Sequence, residues 1–480
     1  MKEDFISYEN LRISTYEVNF IKEMHIENCL NNHVTLNLTC ILDDEMKENC
    51  LQDTDEETPI EVFYEKDGSH FSLFNGLVTK IKISVINYVY TLFIEAKSFD
   101  YKMDIEKKKR DFQNINITTH ELIDEVMKAY PSANYNINIP NEPIGEFILQ
   151  YNETDYEFLK RIVSRYNQSL ISEMELKNIH LYLGTPEIHV EPKTKILDYS
   201  ISKAVDEYND VKNNDVLEVL ETDFVAYKIR TQEILNLGEN FDLKSKQFYI
   251  NKVVYTMEAG NLENIYELRP KGGLRSKRLC NMNVIGISIN GSILEVQRDK
   301  VKVQLEISNN LDPSTAYWFP YATVAASPDG GGWYCMPEVG EKIRLYCPTK
   351  EESKAFVVNA IDTHEAKSGA EAKEDRMSNP DNKSLKTDAN KEVKFTPNGI
   401  LIECDGGQAS MNLNRDGTID VIGQKNINIA CAKNLSLRAE NEMTISAQKS
   451  VDILCETGSS LIMNEGDEIL ATGTRTHNNG

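Results

Sequence analysis

Several groups of residues have the types and spacings with which chemistry is done. GGGWYCMPEVGEKIRLYCP (Gly330–Pro348) sets three glycines ahead of Trp333, with Cys335 and Cys347 close by. That composition suits a phosphate cradle or a thiol site. Glu153, Asp155 and Glu157 gather three carboxylates in one short stretch, the raw material of acid–base catalysis. Cys431 and Cys455 repeat a thiol at an interval of 24 residues.

The elements that must position these groups decide what they can do. A phosphate loop needs Gly-x-x-x-x-Gly-Lys-[Ser/Thr] between a strand and a helix. Here no lysine and hydroxyl follow correctly, and EKIRLYC alternates as a strand. Cys335 has no nearby histidine to hold it as thiolate. Gly340, after Pro337-Glu338-Val339, suits a tight turn, so the stretch reads as loop, turn and strand. The carboxylates surround a helix start. Thr154 and Glu157 have capping-box spacing ahead of Phe158, Leu159, Ile162, Val163 and Tyr166, so the acids are expected to complement the positive end of the helix dipole. Thr118 and Glu121 repeat the arrangement ahead of Leu122, Ile123, Val126, Met127 and Tyr130.

With 480 residues there is room for three or four domains, and 40% hydrophobic content supplies real cores. A net charge of −24 disfavours phosphate backbones, and the densest basic run, Glu106–Arg110 (EKKKR), has acidic flanks. Nucleic acid is therefore not an expected partner. The nine scattered cysteines show neither a C-x-x-C pair nor zinc spacing, which fits a reducing compartment and implies no metal or cofactor. The first residues lack the basic and apolar regions of a secretory signal, and no run is long and apolar enough to span a bilayer. Synthesis and assembly in the cytoplasm are expected, with any export by another route.

The pattern is mainly β. NHVTLNLTCIL (32–42) alternates Val34, Leu36, Leu38 and Cys40 against polar neighbours. Residues 72–99 read as two or three strands with a turn at Asn75-Gly76. Residues 235–257 read as short β segments around Gly238, and RPKGGLRSKR (269–278) as a boundary. From 282, VIGISI, SILEVQ, KVKVQLEI, WFPYATVAA, WYCMPEV, EKIRLYC and AFVVNAI predict a small closed barrel, with a turn at Arg298-Asp299. The charged stretch 365–392 reads as a linker or extended arm.

After 410 the chain follows a period of eight. The first octad position holds Met411, Ile419, Ile427, Leu435, Met443 and Val451, with Ser459 breaking the series. The third holds Leu413, Val421, Ile429, Leu437, Ile445, Ile453 and Leu461, while the second is polar throughout. Fixed-period repetition means stacked rungs, each a short strand and a turn. Eight residues are too few to close a circuit around a core of their own. Three chains wound about one apolar axis would share that core and pair one another's edges. Cys431 and Cys455 fall at the small fifth position and are expected to pack rather than react.

The barrel motif, GGWYCMPEVGEKIRLYCP followed by KAFVVNAI, resembles the OB-fold of valine–glycine-repeat (VgrG) spikes and related phage tail-spike proteins. LQYNETDYEFLKRIVSRYNQSLI (149–171) is similar to that family's hub motif at Tyr151, Glu153, Thr154, Asp155, Phe158, Leu159 and Arg161. RMSNPDNKSLKT (376–387) resembles its arm. The resemblance implies a hub of barrel domains (1–275), an OB-fold collar (276–363), an arm (364–394), a triple-stranded intertwined β-helix needle (395–466) and a polar tail (467–480). It implies a non-enzymatic homotrimer of a contractile injection apparatus that caps the tube and punctures the target envelope, meeting the target membrane only then. Expected partners are tube and baseplate proteins and a PAAR-type tip protein near Leu461, Ile462 and Met463. The particle would be phage-like or secreted, assembled in the bacterial cytoplasm. Some needles of the family end in a His-x-His iron site; RTHNNG supplies the single histidine His477, expected in a free tail. A tail-associated cell-wall hydrolase and a trimeric adhesin or receptor-binding fibre are the alternatives.

Overall fold

The computed structural model describes residues 6–7, 9–43, 47–66, 68–192, 196, 198–213, 219–258, 260–309, 311–327, 333–361, 379–455, 459–464 and 469–472. Gly330–Gly332, residues 364–378 of the expected arm and His477 lie outside them. The fold is mainly β, and contacts divide it into two units, Met1–Thr363 and His364–Gly480.

The first unit is built on an 11-stranded sheet. Its path runs Leu11–Ile13, Pro59–Lys66, Ser69–Ile86, Val89–Ser98, Thr35–Leu42, Phe20–Cys29, Lys246–Glu258, Asn261–Arg269, Val225–Thr231 and Asp198–Lys203, with Asn240–Leu243 added beside Lys246–Glu258. The alternation read over 32–42 is the buried face of Thr35–Leu42, where Val34, Leu36, Leu38 and Cys40 are all at most 2% exposed. They join one core with Ile26, Phe74, Leu92, Val253, Tyr255 and Tyr266.

Asn75-Gly76 is not a turn. The strand Ser69–Ile86 runs straight through it, and the reversal comes at Asn87-Tyr88, both with positive φ. Gly76 is there because a Cβ would run into the Lys97 carbonyl oxygen of the neighbouring strand. Asn75 is buried and bonded, its N–H donating to Met174 O at 2.6 Å and its Nδ2 to Glu175 O at 2.8 Å.

Both capping boxes are present, Thr118–Glu121 opening the helix Thr119–Met127 and Thr154–Glu157 opening Asp155–Ser164. The apolar faces of these helices form a second core with Ile139, Leu170, Leu181 and Leu183. A helix not expected from the sequence, Val205–Asn213, buries Tyr208 alone, so its apolar signal was too thin to read. The stretch 269–278 is packed rather than a bare link, since Lys271–Leu274 is a 3-10 helix with Gly273 and Leu274 buried.

A five-stranded sheet orders Trp318–Pro320, Lys300–Leu305, Ser288–Gln297, Lys342–Tyr346 and Phe356–Ile361. One bridge, Tyr321 to Val357, ties its two outer strands. VIGISI is not a strand of its own: Val284 ends the 3-10 helix Met282–Val284, Gly286 takes φ +77° in a turn, and only Ser288 and Ile289 join SILEVQ in the single strand Ser288–Gln297, where a Cβ on Gly291 would stand 2.7 Å from Gln304 O. WYCMPEV forms no strand over 333–339. Phe147 and Leu149, which belong to the segment feeding the second helix, fill this sheet's core beside Val301, Phe319 and Leu345.

In the second unit, Lys383–Lys386, Lys391–Thr396, Gly399–Cys404, Ala409–Asn414 and Ile419–Gly423 form an antiparallel meander. Ser450–Cys455, Ser459–Asn464 and Ile469–Thr472 form another. The last octad thus folds back antiparallel on the one before it.

Candidate assembly surface

The carboxylates at the second helix are spent on structure. Asp155 is fully buried and accepts from Lys108 Nζ at 2.8 Å, Tyr130 Oη at 2.9 Å, Gln150 Nε2 at 3.0 Å and Arg110. Glu153, at the end of the preceding strand, receives Arg161 Nε and Nη2, both at 2.8 Å. Arg161 also donates to Leu149 O at 2.9 Å and to Glu352 at 2.6 Å. Burial pushes Glu153 above the usual carboxylate range despite Arg161, and burial pulls on Arg161 too, but Glu153 and Glu352 together hold its pKa above the usual value. Glu157 closes the capping box, accepting Thr154 N at 3.0 Å. The dipole reading therefore covers Glu157, whereas Glu153 pairs with the buried Arg161 and Asp155 with the half-buried Lys108 and Arg110. Lys108 and Arg110 of the basic run are committed to Asp155, and Lys109 lies 4.8 Å from the Tyr151 ring centre.

The described part of the cysteine stretch, from Trp333 onward, is equally structural. Gly340 takes φ +91° in the turn before Lys342–Tyr346 and donates its N–H to Ile293 O at 2.8 Å. Cys347 is buried, and burial pushes its thiol up to about 12. A thiol held so far from ionisation is no nucleophile near neutral pH. Cys335 is exposed on the loop.

What the structure leaves unsatisfied is the octad repeat. From Arg415 to Ser450 every residue except Gly423 is exposed. Ile419 is 62%, Ile429 68%, Leu437 66% and Ile445 64% accessible, and Met411, Val421, Ile427, Leu435, Met443 and Ile453 are exposed as well. Leu413 and Val451 are half-buried by the meanders. Residues 424–449 pair with no strand among the described residues. Their backbone still keeps the period, bending at 424–425, 432–433, 440–441 and 448–449. In an extended stretch alternate residues share a face, which would bring the apolar first and third positions of each octad to one side. A contiguous apolar row this long is far beyond what a soluble chain leaves uncovered. Cys431 is exposed with its neighbours. Leu461, Ile462 and Met463 sit in the middle strand of the last meander, flanked on both sides, with Leu461 half-buried.

Residues 290–361 match the family model of the type VI secretion system/phage-baseplate injector OB domain. The chain has the fold of the VgrG-like hub-spike proteins. An E. coli protein, c3393, described as a type VI secretion component with structural similarity to T4 bacteriophage tail proteins gp27 and gp5, aligns over 73% of this chain and 99% of its own. Its TM-score is 0.51 at 10% identity. The VgrG complex with PdpA from Francisella, in its lidded form, aligns over 86% of this chain and 79% of its own, with TM-score 0.54 at 10% identity. The lidless complex aligns over 86% and 98%, with TM-score 0.52 at 10% identity. At these identities the likeness is one of fold. No curated protein sequence matches the chain.

Proposed function

We propose that this chain is the homotrimeric central hub and spike of a contractile injection apparatus. Residues 1–275 form the hub, 276–363 the OB collar, 364–394 the arm, 395–466 an intertwined β-helical needle and 467–480 a polar tail. The observation that carries the reading is the exposed repeat between 415 and 450, unpaired over 424–449, whose bends there keep the eight-residue period. Three copies about one axis cover its apolar row and pair its backbone, which one chain alone does not.

The role that follows is mechanical: the hub caps the tube, and the needle breaches the target envelope when the apparatus contracts. Tube and baseplate proteins are the partners at the hub. A PAAR-type tip protein is the partner near Leu461, Ile462 and Met463. Assembly takes place in the bacterial cytoplasm, within a phage-like or secreted particle. Electron microscopy of particles assembled with and without this chain tests the reading. Loss of the capping density and spike on deletion supports it. Tubes that keep both without the chain contradict it, and clearing of peptidoglycan by the purified chain in a zymogram would replace it with a hydrolase.

A further inference from the structure

His33 lies in the turn before the strand Thr35–Leu42 and is buried against the Tyr156 ring, centroids 4.0 Å apart, with Tyr101 edge-on at 5.8 Å. Its Nδ1 is 2.6 Å from Asp100 Oδ2 and its Nε2 is 3.2 Å from Asp104 Oδ2. A neutral imidazole has one N–H and can donate to one carboxylate; an imidazolium has two and donates to both. The carboxylates are held in place. Asp100 is 2% exposed and its Oδ2 also accepts Ser172 Oγ at 2.7 Å, while Asp104 Oδ1 accepts Thr154 Oγ1 at 2.5 Å. Among the described residues, the buried Asp100 Oδ1 has no hydrogen-bond partner. Loss of the imidazolium proton would strip one carboxylate of its charged donor, a costly change away from water.

The residues of the cluster belong to different parts of the first unit. His33 comes from the connection between two strands of the long sheet, Asp100 and Asp104 from the 3-10 helix Phe99–Asp104, and Thr154, Tyr156 and Ser172 from the helical subdomain. Beside the cluster, Asn31 N donates to Leu170 O at 2.8 Å and Asn28 Nδ2 to Ser172 O at 3.0 Å. We propose that His33 is a proton-dependent latch, which in its doubly bonded charged form clamps the helical subdomain to the long sheet and on deprotonation loosens that seam while each part stays folded. This stands apart from the injector reading, since it rests on contacts within one chain.

The charged and titratable groups facing the latch are Asp100, Asp104, Tyr101 and Tyr156. Behind them, Lys160 acts on Asp104 and lies 5.7 Å from the Tyr156 ring centre, Lys97 lies 4.5 Å from that of Tyr101, and Cys29 is near Tyr156. Burial pulls the imidazole down, but hydrogen bonds to the two aspartates outweigh it and raise its pKa above 6.5. For Asp104 burial pushes upward, and His33 and Thr154 outweigh it to leave the carboxyl below its usual range. The histidine's contribution is therefore complete below its ordinary pKa and is lost as pH rises through the elevated one.

Hydrogen exchange read by mass spectrometry on the full chain at pH 6 and pH 9, corrected for intrinsic chemical rates, tests the latch. Peptides covering 28–35, 98–105 and 153–173 should open severalfold more at pH 9, with Val301–Leu305 unchanged as control. His33→Gln should open these peptides equally at both pH values. Asp104→Asn, which keeps the Asp100 bond, should retain the pH dependence with its midpoint moved to lower pH. Equal wild-type protection at both pH values overturns the proposal, as does a wild-type pH dependence in His33→Gln. If His33→Gln does not fold, an unchanged midpoint in Asp104→Asn overturns it.

Discussion

Ile429→Asp and Asn428→Asp place the same carboxylate at adjacent positions of one rung, and both residues are exposed in the chain by itself. On that basis alone neither change would move stability by more than about 0.5 kcal/mol. A shared needle core separates them. Ile429 is 68% exposed before assembly, and burying an isoleucine side chain contributes about 1.5–3 kcal/mol. Threefold symmetry repeats the loss at one level, so Ile429→Asp should cost the trimer about 5–9 kcal/mol, before the repulsion of three carboxylates facing one axis. In the proposed needle the polar second position of the octad, Asn428, faces away from the axis, and its change should cost little. The assay is dilution-dependent dissociation, followed by light scattering with thermal unfolding in parallel. The expected result is a trimer that comes apart in Ile429→Asp and persists in Asn428→Asp. Equal behaviour of the two variants would refute the shared core.

Other consequences concern the first unit. Gly76→Ala forces a Cβ against the Lys97 carbonyl oxygen and should lower stability by about 1–3 kcal/mol, read as a fall in the midpoint of chemical unfolding. Arg161→Met leaves Glu153 buried without its cation and should cost about 3–5 kcal/mol, with Glu153→Gln restoring part of it in the double variant. Glu175, raised to about 7 by burial and then by Glu173 and Glu239, keeps a proton in the folded state that the unfolded chain releases nearer 4.5. Stability should therefore decline as pH rises from about 4.5 to about 7, and Glu175→Gln should flatten that slope in a pH series of unfolding curves.

What could be read from the sequence was what repeats or alternates. Thr35–Leu42, the two capped helices and the octads each carry a periodic signal that local geometry imposes, and all recur in the structure. Gly76 misled because a glycine in a strand and a glycine in a turn look alike in one dimension. Only the neighbouring carbonyl of Lys97 shows that close approach, not reversal, requires it. The partners of Glu153 and Asp155 were hidden for a similar reason: Arg110 is 45 residues from Asp155, and Glu352 is 191 from Arg161. Phe147 and Leu149 reach the core of the five-stranded sheet from a segment about 140 residues before it, which no segment-by-segment pattern conveys. The assembly surface was legible because its period survives in sequence and backbone alike. The latch at His33 was not, since its residues are scattered from 33 to 172.

The native mass of the purified chain, by light scattering or native mass spectrometry, tests the central claim most directly. Three chains of 54.7 kDa give about 164 kDa, and that is the mass the shared needle requires. A well-folded species of 54.7 kDa, with the octads exposed as they are in the single chain, would contradict the needle and the puncturing role built on it.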